Sequence, residues 1–290
     1  MAEAGARIVT QAIQREGFAR DGITWDVLRS DQVHPVCSGN KLFKLYPYLA
    51  DAIQKGHTTL RTFGGAWSNH IVATAYAAGI SGLRSIGHIR GGEPREWSSA
   101  LCQARDMGME LVFMDRSSFD ALAFREGTDG DAYTIPMGGH GPLGVSGAAK
   151  MLDHAGPDQY SHIFCATGTG TMLAGLALSA GRARLAGVNV VKGYDPLRTL
   201  NEMAPGKSAD IYDQYGFGGY AKADGRLIGF MNLFFLQNRI PTDMVYTGKL
   251  MFAIHDLLHQ GAIPPGSRIL AIHSGGLQGN NSLKKGQVIF

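Results

Sequence analysis

Cysteine is scarce in this chain, and its absence narrows the possibilities first. Cys37, Cys102 and Cys165 are the only three in 290 residues, and no two form a C-x-x-C pair. An odd, widely spaced set predicts neither a disulfide framework nor a structural metal site, and it fits a reducing cytoplasm. Long apolar runs are missing too. No stretch reaches the ~18 consecutive apolar residues of a membrane span. Met1 to Arg20 carry charges throughout, without the apolar core of a signal peptide. A bias of charge is also absent, since 27 Lys and Arg stand against 24 Asp and Glu and leave a scattered net +3. Nucleic-acid binding therefore gains no support. Internal repeats and low-complexity segments are lacking as well.

Glycine is what the chain has in excess. Its 40 glycines are about twice the usual ~7% share, and they follow apolar runs. That is the pattern of many strand-to-helix turns. Strands are expected at Ile23 to Arg29, Thr58 to Phe63, Arg84 to Arg90, Glu110 to Met114 and Ala132 to Pro136. Others are expected at His162 to Ala166, Val188 to Val191 and Arg268 to His273. Helices are expected between Pro47 and Gly56, over Ser68 to Ala78, Trp97 to Met107, Val145 to His154 and Thr171 to Ala180, and through Leu250 to His259. Single helices between successive strands predict parallel pairing with right-handed crossovers, hence a doubly wound, mostly parallel α/β architecture. The Gly- and Tyr-rich segment from Gly206 to Gly229 reads as irregular backbone lying over a cleft. A length of 290 residues suggests about two domains on the ~150-residue prior.

The stretch Ser38-Gly39-Asn40-Lys41-Leu42-Phe43-Lys44-Leu45 sets a lysine behind a small-residue turn and ahead of an amphipathic segment. If Ser38 or Asn40 caps the helix, Lys41 lies in its first turn, where the helix dipole disfavours an ammonium group. An amine that loses its proton easily suits an imine with an aldehyde cofactor. Taken alone, the octapeptide also fits a solvated surface lysine.

Three glycine turns stand at expected strand ends, where ligands bind in open α/β sheets. In Gly64-Gly65-Ala66-Trp67-Ser68-Asn69-His70, free helix N–H groups, the Ser68 hydroxyl and the Asn69 amide outline a carboxylate site, unless Ser68 is simply an N-cap. In Ala166-Thr167-Gly168-Thr169-Gly170-Thr171, backbone amides and three hydroxyls can surround a phosphate. This turn lacks the lysine of a P-loop, and Leu173 breaks G-x-G-x-x-G, so a phosphate monoester fits better than a nucleotide. A purely structural turn is the alternative. The third is His273-Ser274-Gly275-Gly276, preceded by Tyr246-Thr247-Gly248-Lys249, where either hydroxyl can face a ring nitrogen.

Together the motifs SGNKLFKL, FGGAWSNH, IPMGGHGPLG, TGTGTMLAGL, FGGYAK, VYTGK and ILAIHSGGLQG span Cys37 to Gly279. In this order they resemble fold-type II enzymes that use pyridoxal 5′-phosphate, in particular the 1-aminocyclopropane-1-carboxylate deaminase and D-cysteine desulfhydrase family. The resemblance implies that Lys41 forms the imine with the cofactor and that Asn69 contacts its ring. It implies that Gly168 to Thr171, with Thr167 before them, hold the phosphate with help from Lys44, and that Ser274, beside Thr247, sits near the pyridine nitrogen. Ser68 and His70 would meet the substrate carboxylate, and Tyr246 would face the substrate. A small domain, 44–150, would be inserted into a large one formed by 1–43 and 151–290, and the assembly would be a homodimer. Two departures bear on the substrate. Deaminases of this family resemble VYEG where this chain has Val245-Tyr246-Thr247-Gly248, so the acid serving ring opening is missing. Met137 replaces the glutamate usual before the paired glycines.

What this implies is β-elimination from a small amino acid, D-cysteine first, to pyruvate, ammonia and sulfide. Ring opening of 1-aminocyclopropane-1-carboxylate and elimination from another D- or β-substituted amino acid are alternatives within the class. A non-catalytic binder of pyridoxal phosphate or an amino acid is the alternative outside it, but it has no need of Lys41, Ser68 and Tyr246 together. A nicotinamide enzyme is disfavoured by the broken glycine fingerprint.

Overall fold

A computed structural model describes residues 8–14 and 21–290. Most of Met1 to Arg20, read above as lacking a signal peptide, lies outside the described residues. Two sheets organise the rest. The first contains β1 (Thr10–Ala12), β2 (Thr24–Leu28), β8 (His162–Thr167), β9 (Arg184–Asn189), β10 (Asp210–Tyr212) and β11 (Arg268–Ile272), in the order β1-β2-β11-β8-β9-β10. The second contains β3 (Thr59–Gly64), β4 (Arg84–Arg90), β5 (Met109–Met114), β6 (Gly127–Asp129) and β7 (Ala132–Ile135), in the order β5-β4-β3-β7-β6. Among the strands of the described residues, only the edge pairs β1/β2 and β6/β7 are antiparallel. The expected parallel α/β architecture is present, divided over two sheets.

Side-chain alternation explains why helices cover both faces of the first sheet. Leu28, Cys165 and Leu270 point into a core shared with α5 (Pro142–Ala149) and α6 (Thr171–Ser179). Their neighbours Val27, Phe164 and Ile269 point the other way, against α8 (Gly225–Asn238) and α9 (Thr247–His259). Successive strand residues face opposite sides, so strands apolar at every position need cover on both. On the second sheet, Leu60 and Ile135 pack with α1 (Asn40–Gln54) and α2 (Asn69–Ile80), while Ile89 and Met109 meet α2 and α3 (Ser99–Asp106). The other face carries α4 (Arg116–Leu122), whose Phe119 meets Phe63. Each fully buried aliphatic side chain contributes roughly 1.5–3 kcal/mol, so the cores fix the topology.

Three sequence expectations change. The first helix begins at Asn40, not at Pro47, which lies inside α1. Proline has no N–H to return to Phe43, and the carbonyl of Phe43 instead lies against Gly147, where a Cβ would sit 2.1 Å from it. Tertiary packing thus tolerates a proline that sequence reading takes as a start signal. The segment Gly206 to Gly229 is only partly irregular, because it contains β10 and the start of α8, capped by Asp224. The expected strand Val188 to Val191 lies further back, at Arg184–Asn189, paired along its length with β8. The short helices α4 and α7 (Pro196–Met203) were not expected.

Candidate active site

The loop between β2 and α1 is tied to the end of β11 before it delivers Lys41. Ser30 Oγ donates to the His273 carbonyl at 2.5 Å, Gly39 N to Ser30 O at 2.9 Å, and Asn40 N to Ser274 O at 3.2 Å. Gly39 has φ +60°, and a Cβ there would lie 1.9 Å from Ser274 O. Only glycine allows this approach. Gly39 is also the N-cap, so neither Ser38 nor Asn40 caps the helix, but Lys41 does fall in its first turn. Its amine is brought down to about 8, chiefly because protein encloses it and removes water from the charged form. Burial also drives the nearby Cys37 thiol up to about 12, which keeps it neutral.

Ser68 serves as the N-cap of α2, its Oγ accepting from Ile71 N at 3.4 Å. Capping uses an acceptor site and leaves the hydroxyl hydrogen free to donate, so the N-cap role does not exclude a ligand there. Asn69 Nδ2 donates to Gly276 O at 3.2 Å, whereas its buried Oδ1 has no partner. His70 differs from expectation. Thr62 Oγ1 gives its one hydrogen to Ile135 O at 2.8 Å, so His70 Nε2, 2.8 Å from the same oxygen, must be the protonated nitrogen. Burial, then Lys41 and Lys44, hold His70 well below its ordinary pKa. The remaining buried, unpartnered Nδ1 is an acceptor and cannot donate to a carboxylate.

The Gly/Thr turn leaves β8 and enters α6. Gly170 is its N-cap at φ +80°, and Thr199 Oγ1 steadies the turn through Thr169 O at 2.9 Å. Thr169 and Thr171 hydroxyls lie 3.0 Å apart, and Thr171 reaches His140 Nδ1 at 3.0 Å. Thr167, Gly168, Thr169 and Gly170 line the cavity; the fully buried Thr171 supports them from behind. Lys44 lines it too, with Nζ donating to Gly138 O at 3.1 Å, and burial followed by repulsion from Lys41 holds its amine well below the usual value.

Tyr246 and Ser274 complete the wall, and Thr247 does not. Asp243 accounts for that. Its carboxylate accepts from Val245 N, Tyr246 N and Thr247 N at 2.8–3.0 Å and from Thr247 Oγ1 at 2.7 Å, so the threonine hydroxyl points back into the protein. Sequence reading cannot separate two adjacent hydroxyl residues when the turn of the backbone decides which one faces inward. The same wall holds Tyr220, whose ring sits edge-on to Tyr246 at 6.2 Å, together with Tyr194 and Met137. Tyr220 and Tyr194 were missed; the aromatic FGGYAK segment was the available signal for the first. The cavity measures about 550 Å³.

A lysine with a depressed pKa, a Gly/Thr helix start and a helix-start Ser-Asn thus share one cavity between the two sheets. The profile of a family described as "Pyridoxal-phosphate dependent enzyme" matches residues 27–275. The chain belongs to that family. A provisionally named 1-aminocyclopropane-1-carboxylate deaminase of Pyrococcus horikoshii is 30% identical over 281 residues, covering 87% of this chain and 84% of that one. A D-cysteine desulfhydrase of Yersinia pestis is 29% identical over 282 residues, covering 86% of each. The crystal structure of an ACC deaminase homologue superposes with a TM-score of 0.79 at 28% identity, over 94% of this chain and 90% of that one. This pyridoxal-phosphate-dependent enzyme therefore has the fold-type II architecture of its relatives. The residues present fit the cofactor: the orphaned Asn69 Oδ1 is a buried acceptor needing a donor, and the bare Gly168 leaves room against Tyr246, which a Cβ would approach to 3.5 Å.

Proposed function

We propose that this enzyme catalyses β-elimination from a small amino acid, with D-cysteine giving pyruvate, ammonia and hydrogen sulfide. The observation that carries the reading is Lys41, its amine brought down to about 8, in one cavity with the Gly/Thr turn and Ser68–Asn69. Bound pyridoxal phosphate supplies a conjugated ring that makes the α-hydrogen of an attached amino acid acidic. Lys41 holds the cofactor and moves the α-proton at Nζ. Thr167 to Gly170 and Lys44 hold the phosphate, with Thr171 supporting the turn from behind, and the phosphate charge restores the Lys44 proton that burial disfavours. Asn69 meets the ring, and Ser68 donates to the substrate carboxylate. Ser274 stands at the ring nitrogen as a neutral hydroxyl. His70 Nδ1 accepts from an ammonium or a substrate N–H. Tyr246 closes the substrate side.

Elimination is favoured over ring opening by the carboxylates. Asp120 is the only acid among the described residues lining the cavity, and Arg90 binds both its oxygens; Asp243, outside that lining, is engaged with the Tyr246 turn. A thiolate leaves without an acid, whereas ring opening needs one at the position of Thr247. The reading keeps a small lobe over 44–150, a homodimer and a cytoplasmic setting.

The test is the absorbance of the purified protein between about 300 and 500 nm with D-cysteine added, beside Lys41→Ala. Sulfide and pyruvate from the wild type, and neither from the variant, are expected. A visible band without sulfide, joined by ammonia release from 1-aminocyclopropane-1-carboxylate, would overturn elimination in favour of ring opening.

A further inference from the structure

The cavity mouth carries cations that the chemistry above leaves unused. Arg90 at the end of β4 and Arg116 at the start of α4 stand on the side of the second sheet, and Lys192, just beyond β9, stands on the side of the first; all three line the cavity. The carboxylates nearby are engaged. Arg90 binds both oxygens of Asp120 at 3.0 and 2.8 Å, and Asp115 Oδ1 accepts from Ser117 Oγ and Ser118 N. Arg116 and Lys192 make no hydrogen bond or ion pair with any described residue, although Arg116 stands near enough to the Arg90-bound Asp120 to help lower its carboxyl. Nor is Lys192 loosely placed, for its stem runs along Gly219, where a Cβ would lie 3.7 Å from its Cγ and Cδ. The bare glycine beside Tyr220 gives the lysine its path to the mouth.

With Arg90 matched to Asp120, the only lining acid among the described residues, Arg116 and Lys192 leave an excess of positive charge along the cavity that a bound anion would offset. The α-carboxylate of a substrate is assigned to Ser68 and the phosphate to the Gly/Thr turn, so neither anion answers these charges. We propose that the preferred substrate is an amino acid whose side chain carries its own anionic group, held between Arg116 and Lys192. The proposal rests on the reading of this cavity as the amino-acid site and narrows its substrate class. Charge at the mouth would then select among β-substituted amino acids of similar size, an arrangement suited to specificity.

Aspartate and asparagine, in both enantiomers, are isosteric probes differing in one charge. Their dissociation constants are measured from the change in the visible spectrum of the cofactor-loaded enzyme, in low and high salt. Aspartate is expected to bind at least about fivefold more tightly than asparagine at low salt, the advantage shrinking as salt rises. Arg116→Gln and Lys192→Gln, both at exposed positions, should each weaken aspartate by about fivefold and leave asparagine unchanged. Equal affinities in the wild type, or an aspartate preference untouched by both substitutions, overturn the proposal whether or not D-cysteine releases sulfide. An aspartate preference in an enzyme that releases no sulfide sustains it and removes D-cysteine alone.

Discussion

Lys41 shows how much a single side chain owes to what surrounds it. Its position in the first turn of a helix was readable from Ser38-Gly39-Asn40, but the larger influence on its amine is enclosure by protein, which no local sequence displays. Folding brings the amine from 10.5 down to about 8, so between these values the unfolded chain holds a proton that the folded one lacks. Stability of the cofactor-free protein should therefore rise with pH across that window, because the cost of burying the charge, fully present below about 8, is relieved above it. A Lys41→Met variant should lose this part of the slope in denaturant titrations. Imine formation needs the neutral amine, so uptake of pyridoxal phosphate by the cofactor-free protein should quicken as pH climbs to about 8 and level off beyond. A midpoint near 10.5, followed by absorbance, would show an ordinary solvated lysine. His70 teaches the complementary lesson: its place in the cavity followed from the sequence, while its role as an acceptor follows from where Thr62 sends its one hydrogen.

Among the elements, the loop between β10 and α8 depends most on a distant residue. Lys249, fully buried on α9, donates to Gly216 O at 2.9 Å and Gly219 O at 2.8 Å. The loop it ties down holds Phe217 at φ +48° and Ala221 at φ +52°, left-handed values that cost non-glycine residues of order 1 kcal/mol or more each. Without the ammonium that backbone should relax, and Tyr220 should leave its place against Tyr246. Lys249→Met is expected to speed tryptic cleavage after the exposed Lys222 and to raise KM for the amino acid more than it lowers kcat. An unchanged cleavage rate would show that the loop holds its own shape. Sequence reading identified this segment as a cover for a cleft because of its Gly and Tyr content, but gave it no anchor. Lys249 lies 30 residues from Gly219, and nothing local links them.

At the scale of the whole molecule, the cavity is assembled from two sheets that each carry half of the binding groups. Lys41, Ser68 and Asn69 come from α1 and the β3–α2 turn; Thr167 to Gly170, Tyr246 and Ser274 come from elements around β8, α9 and β11. A cofactor touching both halves stabilises their docking as well as each half. Stripping it with a carbonyl reagent should lower the melting temperature by roughly 5 °C relative to the enzyme at a hundredfold excess over the dissociation constant. Identical melting curves with and without it would mean that the cofactor does not bind the native fold in preference to the unfolded chain. Among the described residues no helix is long and apolar enough to cross a membrane.

The sequence by itself determined the order of the glycine turns, the lysine behind the first of them and the parallel α/β pattern, because each is written in contiguous residues with a local physical signature. It also determined the family, through motifs spread from Cys37 to Gly279. Only the tertiary structure decided that Tyr246 rather than Thr247 faces the cavity, that α1 runs through Pro47, and that Arg116 and Lys192 line one cavity. Those outcomes depend on a carboxylate turned inward, a carbonyl covered by a neighbouring glycine and two loops brought together across a cleft, which are contacts between residues far apart in the chain.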